Sequence, residues 1–370
     1  MYHTFDSVKE FHVEISSRCN AACPMCARNK LGGETKSDLK QEDWDKTLIP
    51  KVFDLRFKNL RNVMFCGTHG DPAVAPQSLD AVQYLKNNFN TTVEFFSNGS
   101  TRNKDWWREL GNLLQQKIDD EHYRKYDIAI FSIDGLADTN HIYRRQTHWD
   151  IIMENAEAFI NAGGRARWDF IVFKHNQHQV EAAEALAKRM GFKQFRIRKT
   201  ARFNYSPAGI DKWPVHDRDD NLEYYLYPTT DERYYNTEMD KFESLINEYG
   251  SEEAYFNSAK VNCLYKNYFN RIYVNAYGQV FPCCYISNDI YPATNNIKQD
   301  TINKVFNKYG TTFNDLHLNT WQEILKHKWL AAELETSWDK DLQNGKLMRC
   351  SRTCGDEYSP IMSQSSDTKL

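Results

Sequence analysis

No apolar run in this chain approaches the ~18 residues that a membrane-spanning helix needs. The opening MYHTFDSVKEF lacks the basic-then-apolar order of an export signal. An excess of one charge is missing too. Lys and Arg total 47 against 50 Asp and Glu, a net of −3, which gives no electrostatic footprint for nucleic acid or an anionic membrane surface. No internal repeat or low-complexity tract is present, which sets aside a repeat architecture. What remains is a 370-residue chain with 41% hydrophobic and 14% aromatic residues, including 21 Tyr, 21 Phe and 9 Trp. That profile excludes a wholly disordered chain and leaves room for one to three domains around a large core. The expectation is a cytoplasmic protein with neither a nucleic-acid nor a membrane partner.

The nine cysteines are Cys19, Cys23, Cys26, Cys66, Cys263, Cys283, Cys284, Cys350 and Cys354. An odd number, in tight groups and without an export signal, does not read as the disulfide framework of a small secreted domain. Grouped thiols of this kind hold a metal or do redox chemistry; buried structural thiols are the alternative. Cys19-Asn-Ala-Ala-Cys23-Pro-Met-Cys26 places three of them in eight residues, directly after the first expected strand. Three thiolates on one loop can wrap one face of a cubane iron–sulfur cluster and leave one iron without a protein ligand. Zinc is the rival, but a structural zinc wants four protein ligands and no fourth Cys or His follows nearby.

Strands are expected at Phe11–Ser16, Asn62–Cys66, Thr92–Ser97, Asp127–Ser132, Arg167–Phe173 and Gln194–Arg198. Helical patterns lie between them, one beginning after Ser78 as its N-cap, others over Ile151–Ile160 and Val180–Met190, the last stopped by Gly191. Alternation of this kind implies βαβ units and a parallel sheet. Residues 201–236 break the rhythm with prolines, charges and tyrosines, and read either as a connector or lid over a site or as a solvated surface loop. A helix follows over Met239–Tyr249. Residues 261–285 alternate like a hairpin turning at Ala276-Tyr277-Gly278. Thr320-Trp-Gln-Glu323 opens a helix expected to run to about Glu335. The last stretch, SPIMSQSSDTKL, is expected to be loose.

Cys-x3-Cys-x2-Cys after the first strand resembles the signature of the radical S-adenosylmethionine (SAM) enzymes. The flanking Arg18-Cys-Asn20 and Cys-Pro-Met-Cys-Ala-Arg28 are similar to members with a C-terminal SPASM or Twitch auxiliary-cluster domain. In that family SAM chelates the free iron of a [4Fe-4S] cluster through its amino and carboxylate groups. Reductive cleavage then yields a 5′-deoxyadenosyl radical that abstracts hydrogen from substrate. The later strand ends carry further likenesses, where ligands bind in parallel α/β folds. Cys66-Gly-Thr-His69-Gly70-Asp71-Pro72 is similar to the family's Gly-Gly-Glu-Pro segment, with Asp71 for Glu and His69 for the first Gly. Ser97-Asn98-Gly99 matches its Asn-Gly turn. Ser132-Ile-Asp134-Gly135, with Arg144 downstream, resembles its Ser-x-Asp-Gly and Arg. Val172-Phe173-Lys-His-Asn176 resembles the segment against adenine. The resemblance implies SAM contacts from His69, Gly70, Asp71, Asn98, Ser132, Asp134, Arg144 and Phe173. It covers about residues 8–200 and implies an α/β fold, a partial (β/α)6 TIM-like barrel.

Cys263, fourteen residues, Gly278, four residues and Cys283 look like the opening of a SPASM or Twitch domain, and Cys350-Ser-Arg-Thr-Cys354 resembles its closing pair. Cys263, Cys283, Cys350 and Cys354 together suffice to ligate one auxiliary [4Fe-4S] cluster, with Cys284 the alternative to Cys283 and structural zinc the alternative metal. The expected division is a core barrel over 1–200, a connector or lid with one helix over 201–260, a small α+β auxiliary domain over 261–360 and a flexible tail over 361–370. The implied reaction is oxidation, cross-linking or epimerisation of a peptide or protein residue; dehydrogenation of a small sugar or aminocyclitol alcohol is the alternative. A non-catalytic iron–sulfur binding protein is a third. Implied partners are a flavodoxin- or ferredoxin-type electron donor and, since the chain begins almost at its first strand, a separate leader-binding protein.

Overall fold

The computed structural model describes residues 1–118, 125–290, 300–358 and 365–369. Its main sheet is built on six parallel strands: β1 (Glu10–Val13), β2 (Asn62–Phe65), β3 (Thr92–Ser97), β4 (Ile128–Ser132), β5 (Ala166–Ile171) and β6 (Gln194–Arg198). They lie side by side in chain order. A right-handed crossover repeated in one direction puts every connecting helix on the same face of such a sheet. Helices Ser78–Asn88, Lys104–Leu113, Trp149–Asn161 and Val180–Met190 occupy that outer face. This is the winding of a partial (β/α)6 barrel, an α/β fold.

Strand alternation divides the side chains accordingly. Phe11, Val13, Val63, Phe65, Val93, Phe95, Phe131, Trp168, Phe170 and Phe195 point outward into one large apolar core with Val82, Leu85, Trp107, Ile152 and Phe159 of the helices. The opposite, helix-free face is buried but polar: Glu10, His12, Asn62, Glu94, Arg167, Asp169 and Arg196. These groups are paired across and along the strands, as burial in low dielectric demands. Arg167 Nε donates to Asp169 Oδ1 at 2.6 Å, and Asn62 Nδ2 to Glu94 Oε2 at 3.2 Å.

The sheet extends past the six strands at both edges. Two further strands, β7 (Trp213–His216) and β8 (Leu222–Leu226), form a separate antiparallel pair, whereas β9 (Arg271–Val274) pairs parallel with β1 and β10 (Val280–Phe281) antiparallel with β9. Arg271 Nε donates to Glu10 Oε2 at 2.7 Å, locking β9 to β1 on the inner face. The segment expected as an auxiliary unit thus shares its hairpin with the main sheet. At the other edge β11 (Ser365–Lys369) pairs antiparallel with β6 from Arg198 to Gln194. The stretch expected to be loose therefore supplies partners for an edge strand's backbone groups; 359–364 and 370 lie outside the described residues.

Three other expectations need adjustment. The segment 201–236 contains the β7–β8 hairpin, and Trp213, Val215 and Leu226 are buried in it, so it is not a solvated loop. The helix from Thr320 has the capping box, with Glu323 N on Thr320 Oγ1 and Thr320 N on Glu323 Oε2, but it ends at Lys326. There His327 turns extended and stacks on Phe313 at 4.3 Å; a π-turn over Trp329–Glu333 follows. The strand at Arg167–Phe173 stops at Ile171, where Ile171 N meets the Asp134 carboxylate at 2.5 Å. Among the described residues, no helix is long and apolar enough to cross a membrane.

Candidate functional site

The loop carrying Cys19, Cys23 and Cys26 leaves the end of β1 and is pinned from several sides. Arg28, buried, donates to Ser17 O, and Ser17 Oγ donates to Lys40 O at 2.8 Å. Ala22 N bonds Arg145 O at 3.0 Å, and Cys26 N closes a turn on Cys23 O at 3.0 Å. Two of the three sulfurs face groups from other strand ends. Cys19 Sγ receives Ala21 N at 3.3 Å and Asn98 Nδ2 at 3.7 Å. Cys23 Sγ lies 3.7 Å from Arg144 Nη1. Asn98 also donates to Asn20 Oδ1 at 2.8 Å, so the turn after β3 is tied to the cysteine loop.

The segment after β2 folds tightly against this loop. Asp71 N donates to Arg18 O at 2.8 Å, and a Cβ on Gly70 would fall 1.8 Å from Ser16 O, so only glycine fits there. The amides of His69 and Gly70 donate to Glu14 Oε1 at 2.6 and 3.0 Å, while Glu14 Oε2 takes the Tyr273 hydroxyl at 2.9 Å. Burial would raise the Glu14 carboxyl, but the His69 side chain, with the His69 and Gly70 amides behind it, holds it below the usual range. Asp71 receives Ala73 N at 2.9 Å, Ser97 Oγ at 3.0 Å and Asn98 N at 2.8 Å. Burial outweighs those three bonds and pushes its carboxyl up. Asp71 thus joins the ends of β2 and β3.

Asp134 does the same for β4 and β5. It is 0% exposed, with Oδ1 on Ile171 N and Oδ2 on Arg144 Nε, both at 2.5 Å. Arg144 is therefore held between a buried carboxylate and a cysteine sulfur. Burial pushes the Cys23 thiol up to about 11 against the guanidinium's pull, and pushes Cys19 up as well, with the Asp71 carboxylate adding to it. Thiols in this state give up their protons when they coordinate a metal. Phe173 is fully buried between Tyr143, 4.6 Å centre to centre, and His175, parallel at 5.4 Å. Ser132 sits half-buried on the inner face at the end of β4, opposite Asp169.

The β7–β8 hairpin covers the cysteine loop. Trp213, Val215, Leu226 and Met239 share one apolar cluster with Cys23, Met25, Tyr143 and Phe173. Trp213 Nε1 donates to Pro24 O at 3.2 Å, and His216 N to Leu31 O at 3.0 Å. This apolar cover shields the buried Cys23 from water, while Cys19 and Cys26 stay half-buried.

Cys263, Cys283, Cys350 and Cys354 come together in the second half of the chain, lining one cavity with Tyr2, Trp338 and Arg349. The Cys354 thiol bonds Cys263 and holds its thiol below the usual range, its own being raised. Trp338 Nε1 is buried there and faces the Cys350 thiol, whose proton its N–H helps to release against burial. Cys284 is not among the residues lining this cavity; its Sγ is 3.3 Å from the Tyr265 hydroxyl. Burial, with Cys284 nearby, pushes the Cys66 thiol up to about 12. Among the described residues, no three Cys, His, Asp or Glu side chains converge as ligands of a single metal ion.

Several contributors went unread in the sequence. Glu14 was visible in principle, since alternation in FHVEIS puts it on the inward face with His12. Trp213 and the hairpin show as alternation on either side of DRDDN. Tyr2 and Trp338 carried no signal, because their roles depend on a chain fold that joins residue 2 to residues past 330.

No family model matches the chain. Over 137 residues it is 27% identical to the tungsten-containing aldehyde ferredoxin oxidoreductase cofactor-modifying protein of Pyrococcus furiosus. That match spans 36% of this chain and a third of the relative, 33%. The solved structure of anSMEcpe with bound AdoMet superposes with a TM-score of 0.53 at 14% identity, covering 94% of this chain and 89% of that one. The same protein with AdoMet and the Cp18Cys peptide gives 0.50 at 14% identity, again over 94% and 89%. Streptococcus suis SuiB bound to S-adenosylmethionine gives 0.48 at 12%, over 81% of this chain and 66% of that one.

Proposed function

We propose that this chain, whose fold is that of the radical SAM enzymes, binds a [4Fe-4S] cluster on Cys19, Cys23 and Cys26 and SAM on the cluster's open iron. With both bound, one-electron reduction would cleave SAM to methionine and a 5′-deoxyadenosyl radical that takes a hydrogen atom from substrate. One observation carries the reading. The three-cysteine loop stands at the strand ends within reach of Asn98 and Arg144, two residues that the family resemblance names independently.

The residues divide the work. Asn98 and Arg144 place donors beside the sulfurs of Cys19 and Cys23, which stabilises the thiolate form a cluster needs. Asp71 and Asp134 fix the strand ends that frame the site, and the exposed part of Arg144 is available to an anionic group of SAM. The apolar hairpin over the loop excludes water from a radical's surroundings. Reducing equivalents would come from a flavodoxin- or ferredoxin-type protein.

In the second cavity, four gathered thiols, one of them faced by the Trp338 N–H, fit an auxiliary [4Fe-4S] cluster, whose four protein ligands leave electron transfer as its use. Iron and sulfide near eight per chain support this; four iron plus one zinc contradict it. The substrate reading is a peptide or protein residue, supported by the shared fold with anSMEcpe, whose structure holds a peptide. A small-molecule substrate is the second reading, favoured by the relative named as cofactor-modifying. Anaerobic incubation with dithionite and SAM should release 5′-deoxyadenosine, and Cys23→Ala should abolish the release. Deuterated peptides and sugars then separate the readings by which one labels 5′-deoxyadenosine.

A further inference from the structure

The cavity of the second cysteine group is closed by a residue from the opposite end of the chain. Tyr2 N donates to Leu330 O at 3.2 Å, and His3 Nε2 bonds Arg271 O at 3.0 Å, so the segment before β1 is laid across the second half of the chain. The Tyr2 ring stands edge-on to Trp338 at 6.5 Å. Tyr2 is 2% exposed, and its hydroxyl oxygen lies 3.2 Å from Cys263 Sγ and 3.4 Å from Pro282 O.

A phenolic hydroxyl has one proton and therefore a choice between these two acceptors. While Cys263 is a thiol, its S–H can donate to the Tyr2 oxygen and the Tyr2 proton can go to Pro282. A sulfur that ligates iron has lost its proton and only accepts. Of the two groups, the hydroxyl is then the sole donor.

We infer that Tyr2 donates a hydrogen bond to the Cys263 sulfur of the auxiliary cluster and thereby raises that cluster's reduction potential. This rests on the auxiliary-cluster reading of the four thiols. A donor to a ligand sulfur withdraws negative charge, and it stabilises the reduced state more because that state is the more negative. Burial strengthens the effect, since no water competes for the sulfur. The Trp338 N–H, which faces the Cys350 thiol in the same cavity, acts in the same direction. Tyr2 is thus a positioning residue that tunes an electron acceptor without touching substrate.

The test is an EPR-monitored redox titration of the anaerobically reconstituted holoenzyme, following the signal that survives Cys23→Ala. Tyr2→Phe removes one oxygen and keeps the ring. The auxiliary midpoint should move to lower potential, with iron and sulfide still near eight per chain and the other cluster's midpoint unmoved. Should Tyr2→Phe lose the cluster, 3-fluorotyrosine at position 2 decides, because a more acidic hydroxyl donates more strongly and the midpoint should rise. Unchanged midpoints in a fully loaded variant overturn the inference. A wild-type chain holding only four iron fails earlier, at the auxiliary-cluster reading itself.

Discussion

Arg144 Nη1 lies 3.7 Å from the sulfur of Cys23, while the same guanidinium holds Asp134 through Nε at 2.5 Å. One side chain thereby couples the strand end after β4 to the cysteine loop after β1. The Arg144 side chain is only 17% exposed, so removing the Asp134 carboxylate leaves its charge uncompensated. Asp134→Asn should destabilise the chain by about 3 kcal/mol and weaken SAM binding. Adding Arg144→Gln should recover part of the stability, a coupling that a double-mutant cycle by urea unfolding measures.

The tight approach of Gly70 to Ser16 O gives a second prediction. Gly70→Ala must push the 67–71 segment off the end of β1 and break the Glu14 bonds. The cost should be about 1–3 kcal/mol, the usual range for overpacking. SAM-dependent release of 5′-deoxyadenosine should fall by more than stability alone explains. A variant with unaltered SAM affinity by equilibrium dialysis would show that the segment does not frame the site.

Trp213 seals the cysteine loop through its ring and its bond to Pro24 O. Trp213→Ala should cost about 3–5 kcal/mol and open the loop to oxygen. Iron loss from reconstituted protein exposed to air should be several times faster than in wild type. Equal rates would mean that the hairpin is not the cover.

Stability should also depend on pH through His12. Its Nε2 donates to Cys66 O at 2.6 Å, and burial, with Arg271 nearby, lowers its pKa from 6.5 to about 4. Between those values the unfolded chain binds the proton that the folded chain refuses. Unfolding free energy should therefore fall as pH drops from about 7 to about 4, by about 3 kcal/mol from this residue. His12→Gln should flatten that part of the profile in anaerobic urea titrations; an unchanged slope contradicts the assignment.

The parallel strands were legible because each is a short run rich in aromatic and β-branched residues, with helix punctuation such as Gly191 between them. The cysteine loop and the Asp71, Asn98, Asp134 and Arg144 positions were legible from order along the chain and from family likeness. What escaped has a common cause. The Glu14 bonds to His69 and Gly70 lie inside a sheet whose inner face is polar, and propensity says nothing about which face pairs with which. The β9–β1 pairing and Tyr2's place beside Cys263 are contacts across more than 250 residues. Local pattern carries no record of those. The break at His327 and the strand at Ser365–Lys369 are likewise set by partners, Phe313 and β6, and not by their own sequence.

The central claim is that the iron opposite Cys19, Cys23 and Cys26 is left for SAM. Electron–nuclear double resonance on the reduced, air-free protein tests it, with SAM labelled by 15N at the methionyl amine and 17O at the carboxylate. Hyperfine coupling from both labels, absent in Cys23→Ala, is the predicted result. A fully assembled cluster whose spectrum is unchanged by SAM, with coupling from neither label, would contradict the account.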